Sequence, residues 1–232
     1  MGRTGLLWAA VAAITIVMSG CSKTEDTEPP SSEQPGGPPG AVGMGGAGAN
    51  VRSDGDFVRD IAMKNMADIE LSRMALDKAT SPGIKVFAQE LIDDHRAAGN
   101  ELKSVVSGQP IDWPAQLDTE HRNSADELAQ KQGRDFDRDY LEAMVDSHRD
   151  LAAKLESRLD VQSLADWKTA AAARTHSEAM PEPDAMRDVQ VHPHKSDDAI
   201  TTRINQWAAN TYPVAQKHLD TATILKNAAE KG

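Results

Sequence analysis

The sequence predicts an all-α fold, an antiparallel bundle of four to five helices over residues 53–232. Three observations carry that expectation. Hydrophobic residues make up 39% of the chain but aromatics only 4%, and alanine and methionine supply much of the remainder, which suits packed helices better than sheets. Long segments place apolar side chains at spacings of four and three, the period of a helix face. Ser81-Pro82-Gly83, Ser107-Gly108-Gln109-Pro110 and Gly133 punctuate those segments with helix stops and starts.

The first helix is expected to start near Asp54 to Asp56, where acidic residues suit the first turn. Its apolar face reads as Phe57, Ile61, Ala62, Ile69, Leu76 and Ala79, widened by Met63, Met66 and Met74, with Glu70 among them. Ser81 offers a cap for the second helix and Pro82 suits its first position. The second seam is regular: Ile84, Ala88, Leu91, His95, Ala98, Leu102 and Val105. A short polar third helix is expected over about Leu117 to Lys131, carrying His121 as a solvated surface residue. The fourth begins near Asp135, with a seam of Asp137, Leu141, Met144, His148, Leu151 and Leu155. Past Leu159 the pattern loosens, and either a continuation or a separate short helix fits. An irregular insert follows at about 175–197, since Met180-Pro181-Glu182-Pro183 cannot be a helix interior. It holds His192-Pro193-His194, a pair able to bind copper, nickel or zinc weakly but also at home in a plain exposed loop. The last helix runs from about Asp198 to Lys226 through Ile200, Ile204, Trp207, Val214, His218 and Leu225, with Asp197 or Ser196 as its cap. Pro213 is expected to kink or divide it.

The N-terminal fifth reads differently. Arg3 followed by the apolar run Leu6 to Val17 has the form of an export leader, too short to span a bilayer. Met18-Ser19-Gly20-Cys21 then resembles the lipobox of bacterial lipoproteins. That resemblance implies a signal peptide over 1–20 and acylation of Cys21. It also explains why an exported chain keeps a lone cysteine. Ser22 after the cysteine, in place of Asp, implies sorting to the periplasmic face of the outer membrane. Residues 21–52 are Pro- and Gly-rich and nearly devoid of large apolar side chains, so they are expected to form a disordered tether. The membrane is thus an expected partner through the lipid. Nucleic acid is excluded by a net charge of -11.

His95, His148 and His218 all fall on apolar seams, and a titratable ring there is costly without a partner. The first two sit in matching contexts, Leu91-Ile92-Asp93-Asp94-His95-Arg96 and Met144-Val145-Asp146-Ser147-His148-Arg149. Glu70 and His95 lie about equally far from the turn at 81–83, so at about 1.5 Å of rise per residue they come to the same level. Glu70, His95, His148 and His218 are therefore the candidate metal ligands, for zinc, iron or copper. The same four can equally form a metal-free layer of hydrogen bonds. Asp94 and Asp146 are expected to point away from the seam and pair with surface arginines, and Asp137 to act near the start of its own helix.

Phe87-Ala88-Gln89 leading into Asp93-Asp94-His95, Phe136-Asp137-Arg138-Asp139-Tyr140 leading into Met144-Val145-Asp146-Ser147-His148, and Tyr212-Pro213 ahead of His218-Leu219 together resemble the bacterial envelope family called domain of unknown function 4142. The resemblance spans roughly residues 55–230 and implies a ferritin-like bundle in the cell envelope. It implies no settled activity. Ser147 stands where that pattern usually has Asp, and the region 162–197 is longer than its usual connection. Three residues before His95, His148 and His218 stand Ile92, Val145 and Ala215, so the Glu-x-x-His pairs of di-iron ferritin-like centres are missing. No nucleophile elbow, phosphate loop or dinucleotide fingerprint occurs. The expected function is an exported, lipid-anchored, non-enzymatic envelope protein with metal binding in the bundle core. The alternatives are a metal-dependent redox enzyme or metal store, and a structural or partner-binding module with a metal-free His/Glu layer.

Overall fold

The computed structural model describes residues 53–175 and 189–231. Cys21, the leader and the tether lie outside the described residues. Six helices are present among those described: α1 (Asp54–Lys78), α2 (Pro82–Val105), α3 (Thr119–Ala129), α4 (Gly133–Glu156), α5 (Val161–Thr175) and α6 (Ala199–Lys231). The protein is an all-helical bundle. No described helix is long and apolar enough to cross a membrane.

Four helices enclose the core, in the ring order α1, α2, α6, α4. Every adjacent pair is antiparallel. Along α1 and α4 the contacts Asp60–Lys154, Lys64–Asp150, Asp68–Ser147 and Ser72–Tyr140 run in opposite directions. The same holds for α2 and α6 at Glu90–Lys217 and Ala98–Trp207, and for α4 and α6 at Glu142–Lys226 and Glu156–Tyr212. The two diagonals, α2 with α4 and α1 with α6, are consequently parallel.

Local chemistry sets the ends. Ser53 Oγ accepts the Asp56 N–H at 3.2 Å and starts α1. Asp118 caps α3 through the His121 N–H at 2.9 Å, so this helix is shorter than the polar run suggested. Gly133 adopts φ 58°, a left-handed value that lets the chain turn into α4 two residues earlier than expected. At α6 the cap is Asp198, not Asp197 or Ser196. Its carboxylate takes the N–H groups of Ile200 at 2.9 Å and Thr201 at 2.8 Å.

Several expectations are corrected. Ser81 makes no side-chain cap on α2. Asp137 of α4 instead anchors the turn between α1 and α2, accepting the N–H of Thr80 at 2.9 Å and of Ser81 at 3.3 Å, plus the Thr80 hydroxyl. A carboxylate there also faces the positive end of α2. The loose stretch past Leu159 is a separate helix, α5, whose Trp167 ring meets Tyr212 edge-on at 5.2 Å. Of the two outcomes expected at Pro213, a kink or a division, the division does not occur: α6 runs through it, with buried Tyr212 and Ala215 holding the helix to the core on both sides. Of the irregular insert, the described part 189–198 is tied down by a β-bridge between Leu159 and Pro193. His192 and His194 contribute backbone to it, to Asp160 N–H and Arg158 carbonyl, while their side chains are exposed.

The apolar core is not continuous. One cluster holds Phe57, Ile61, Leu102, Leu151, Leu155 and Trp207. The other holds Leu71, Phe87, Leu91, Tyr140, Leu141 and Met144. Between them lies a polar layer.

Candidate functional site

That layer draws a side chain from each helix of the ring: Asn65 and Asp68 from α1, His95 from α2, His148 from α4 and His218 from α6. All five are buried. One ring nitrogen from each histidine lies within 4.8 Å of the other two.

The hydrogen bonds assign the protons. His148 Nδ1 is 2.9 Å from the Met144 carbonyl oxygen, which can only accept, so Nδ1 carries the hydrogen and Nε2 of the neutral ring is bare. Asn65 Nδ2 donates to the His95 carbonyl at 3.4 Å, which turns its Oδ1 toward His95 Nδ1 at 2.8 Å. An amide oxygen accepts, so His95 also carries its hydrogen on Nδ1 and has a bare Nε2. These two Nε2 atoms face each other at 3.2 Å. Two lone pairs at that separation repel unless a cation stands between them. Metal–imidazole bonds of about 2.0–2.1 Å in tetrahedral geometry put neighbouring nitrogens about 3.3 Å apart. The observed spacing matches that edge.

Protonation of His95 is disfavoured at neutral pH. Burial, with the neighbouring His148 and His218 rings and against the pull of Asp68, lowers the His95 pKa from 6.5 to about 4. Burial also lowers that of His218, with His148 adding to the effect and Asp94 opposing it.

Two carboxylates support the cluster. Asp68 Oδ2 is 3.8 Å from His95 Nε2 and accepts the Ser147 hydroxyl at 3.0 Å. Asp94 Oδ2 is 2.9 Å from His218 Nε2, the carboxylate–histidine pairing that orients metal-ligating rings. A cavity of about 20 Å³ beside His95 and His218 is the size of one water molecule.

The structure thus brings together His95, His148 and His218 and leaves Glu70 out. Glu70 is exposed and paired with Arg73 at 3.2 Å. The carboxyl that meets His95 from α1 is Asp68, two residues away and so about 200° around the helix. The signal was available: stepping from Phe57 and Ile61 by fours and threes gives Asn65, Asp68, Ser72, Ala75 and Ala79, all buried. Asp94 is a second correction, since it reaches across to α6 and does not pair with a surface arginine. Asp146 does pair with Arg149, at 2.9 Å. His121 is half-buried and bonded to Asp118 at 2.8 Å, away from the cluster.

A match to the family described as domain of unknown function (DUF4142) covers residues 41–182, more than half of the chain. The chain belongs to the DUF4142 family. The match includes His95 and His148 and ends before α6, so His218 lies outside the DUF4142 stretch. The chain matches no curated protein and no solved structure.

Proposed function

We propose that this DUF4142 protein is an exported, lipid-anchored envelope protein of ferritin-like type whose bundle core binds one transition-metal ion. His95, His148 and His218 supply imidazole nitrogens and Asp68 a carboxylate oxygen, a donor set suited to zinc, iron(II) or copper(II). The observation that carries the reading is the pair of bare Nε2 atoms 3.2 Å apart in a buried layer. Asn65, Ser147 and Asp94 fix the ligands from behind. A single buried carboxyl among three histidines favours a mononuclear site over the carboxylate-rich dinuclear centres of iron stores and oxidases. Export and anchoring rest on the leader and on Cys21, and mass spectrometry finding an acylated Cys21 as the N-terminus of membrane-isolated protein is their test.

Elemental analysis of purified protein tests the metal. One ion per chain, lost in His95→Ala and in His148→Ala while far-UV dichroism persists, is the expected result. A metal-free protein whose unfolding midpoint ignores both chelator and added zinc, iron or copper would sink the proposal. It would favour instead a polar layer in which a rotated Asn65 amide lets His95 Nε2 donate to His148. That arrangement sacrifices the 3.4 Å bond from Asn65 to the His95 carbonyl.

A further inference from the structure

On the outer side of His95 the bundle opens into a groove of about 660 Å³ between α1, α2, α3 and the chain joining α2 to α3. That volume is in the range of small-molecule sites. Its charge runs against the molecule. The chain has 36 acidic residues against 25 lysines and arginines. Yet the groove is lined by Arg73, Arg96, Lys103 and Arg122 against only Glu70 and Asp126. Glu70 is already engaged by Arg73 at 3.2 Å. Among the described residues neither Arg96, Lys103 nor Arg122 has an ion-pair partner; Lys103 lies over the Trp113 ring, 5.7 Å from its centre. Arg96, Lys103 and Arg122 line one groove with only Asp126 left to balance them, although an acidic chain had many carboxylates with which to neutralise them. Met66, Ile69, Leu117 and Trp113 line the same groove with apolar surface.

We infer that this groove binds a small amphiphilic anion, its carboxylate or phosphate head held by Arg96, Lys103 and Arg122 and its apolar body laid against Met66, Ile69, Leu117 and Trp113. Arginine presents a planar fork that matches either head in two parallel hydrogen bonds. The ligand class is the same whether it is a free acyl acid or the acidic headgroup of a lipid. This inference is independent of the metal, since none of the three cations is a ligand in the proposed centre.

Calorimetric titration of the full chain with decanoate, and separately with monomeric dihexanoyl phosphatidylglycerol, tests it. One saturable site is expected, weakened by salt and unaltered by a chelator. Because two charge-assisted contacts are removed, Arg96→Gln combined with Arg122→Gln should lower the affinity about tenfold or more. The exposed control Arg149→Gln, paired with Asp146 elsewhere, should leave it unchanged. Variant-sensitive binding of decanoate identifies a free acid as the occupant, and of the phospholipid alone a headgroup; either supports the site. No saturable binding of either anion, or binding unchanged in the double variant with its helicity intact, overturns it.

Discussion

Acid should loosen the metal-free protein through His95. In the unfolded chain this ring takes up a proton near pH 6.5, whereas in the bundle it does so only near pH 4. Between those values the unfolded state binds more protons. Stability therefore rises with pH across that window; it is fully present above 6.5 and drains away as pH falls toward 4. Each tenfold difference in proton affinity is about 1.4 kcal/mol, so the His95 contribution is about 3 kcal/mol. That is a large share of the roughly 5–15 kcal/mol that holds a typical domain. His218 is shifted in the same direction by its burial and adds to the loss. The assay is urea unfolding at fixed pH between 7 and 4, with chelator present, for the parent and for His95→Gln. The variant keeps a polar side chain there but cannot titrate. The difference between the two curves isolates His95, since surface carboxylates titrate alike in both. A difference shrinking by about 3 kcal/mol from pH 7 to pH 4 is expected. A flat difference would refute the claim that His95 is held neutral by burial.

Asp137→Ala should cost about 1–2 kcal/mol, because it strips the part-exposed turn at Thr80 and Ser81 of its charged acceptor; thermal unfolding measures it. Arg158 is buried, pairs with Asp54 and stacks over Phe57 at 4.3 Å, so Arg158→Ala should destabilise by about 3–5 kcal/mol in urea unfolding. At Gly99 an added Cβ would stand 3.2 Å from Asn65 Nδ2, the group that orients His95. Gly99→Ala should thus weaken metal affinity about tenfold with little loss of helicity, as read by competition with a chromophoric chelator. Asp94→Asn removes the carboxylate behind His218 and should weaken affinity by about 10–100-fold in the same competition.

The three histidines were legible because each occupies a seam position whose neighbours in fours and threes are apolar, as with Leu91, His95, Ala98 and Leu102. Helix boundaries were legible to within a few residues, since caps and breakers act locally, as at Pro82 and Gly133. The α1 carboxylate of the polar layer was not. At the level of the site the inward positions of α1 are Asn65, Asp68 and Ser72, while Ile69 and Leu76 beside them are only half-buried. Hydrophobic pattern therefore drew the seam about one position off and delivered Glu70. Asp94 and Asp137 were misplaced for another reason. Each serves a neighbouring helix, α6 for Asp94 and the α1–α2 turn for Asp137, and single-helix periodicity carries no information about which helices adjoin.

X-ray absorption at the metal edge of the loaded protein tests the central claim most directly. The account predicts a mononuclear centre with about three imidazole nitrogens at about 2.0–2.1 Å, absent from His148→Ala. Absence of imidazole scattering, a second metal at close range, or a spectrum unchanged by that substitution would contradict it.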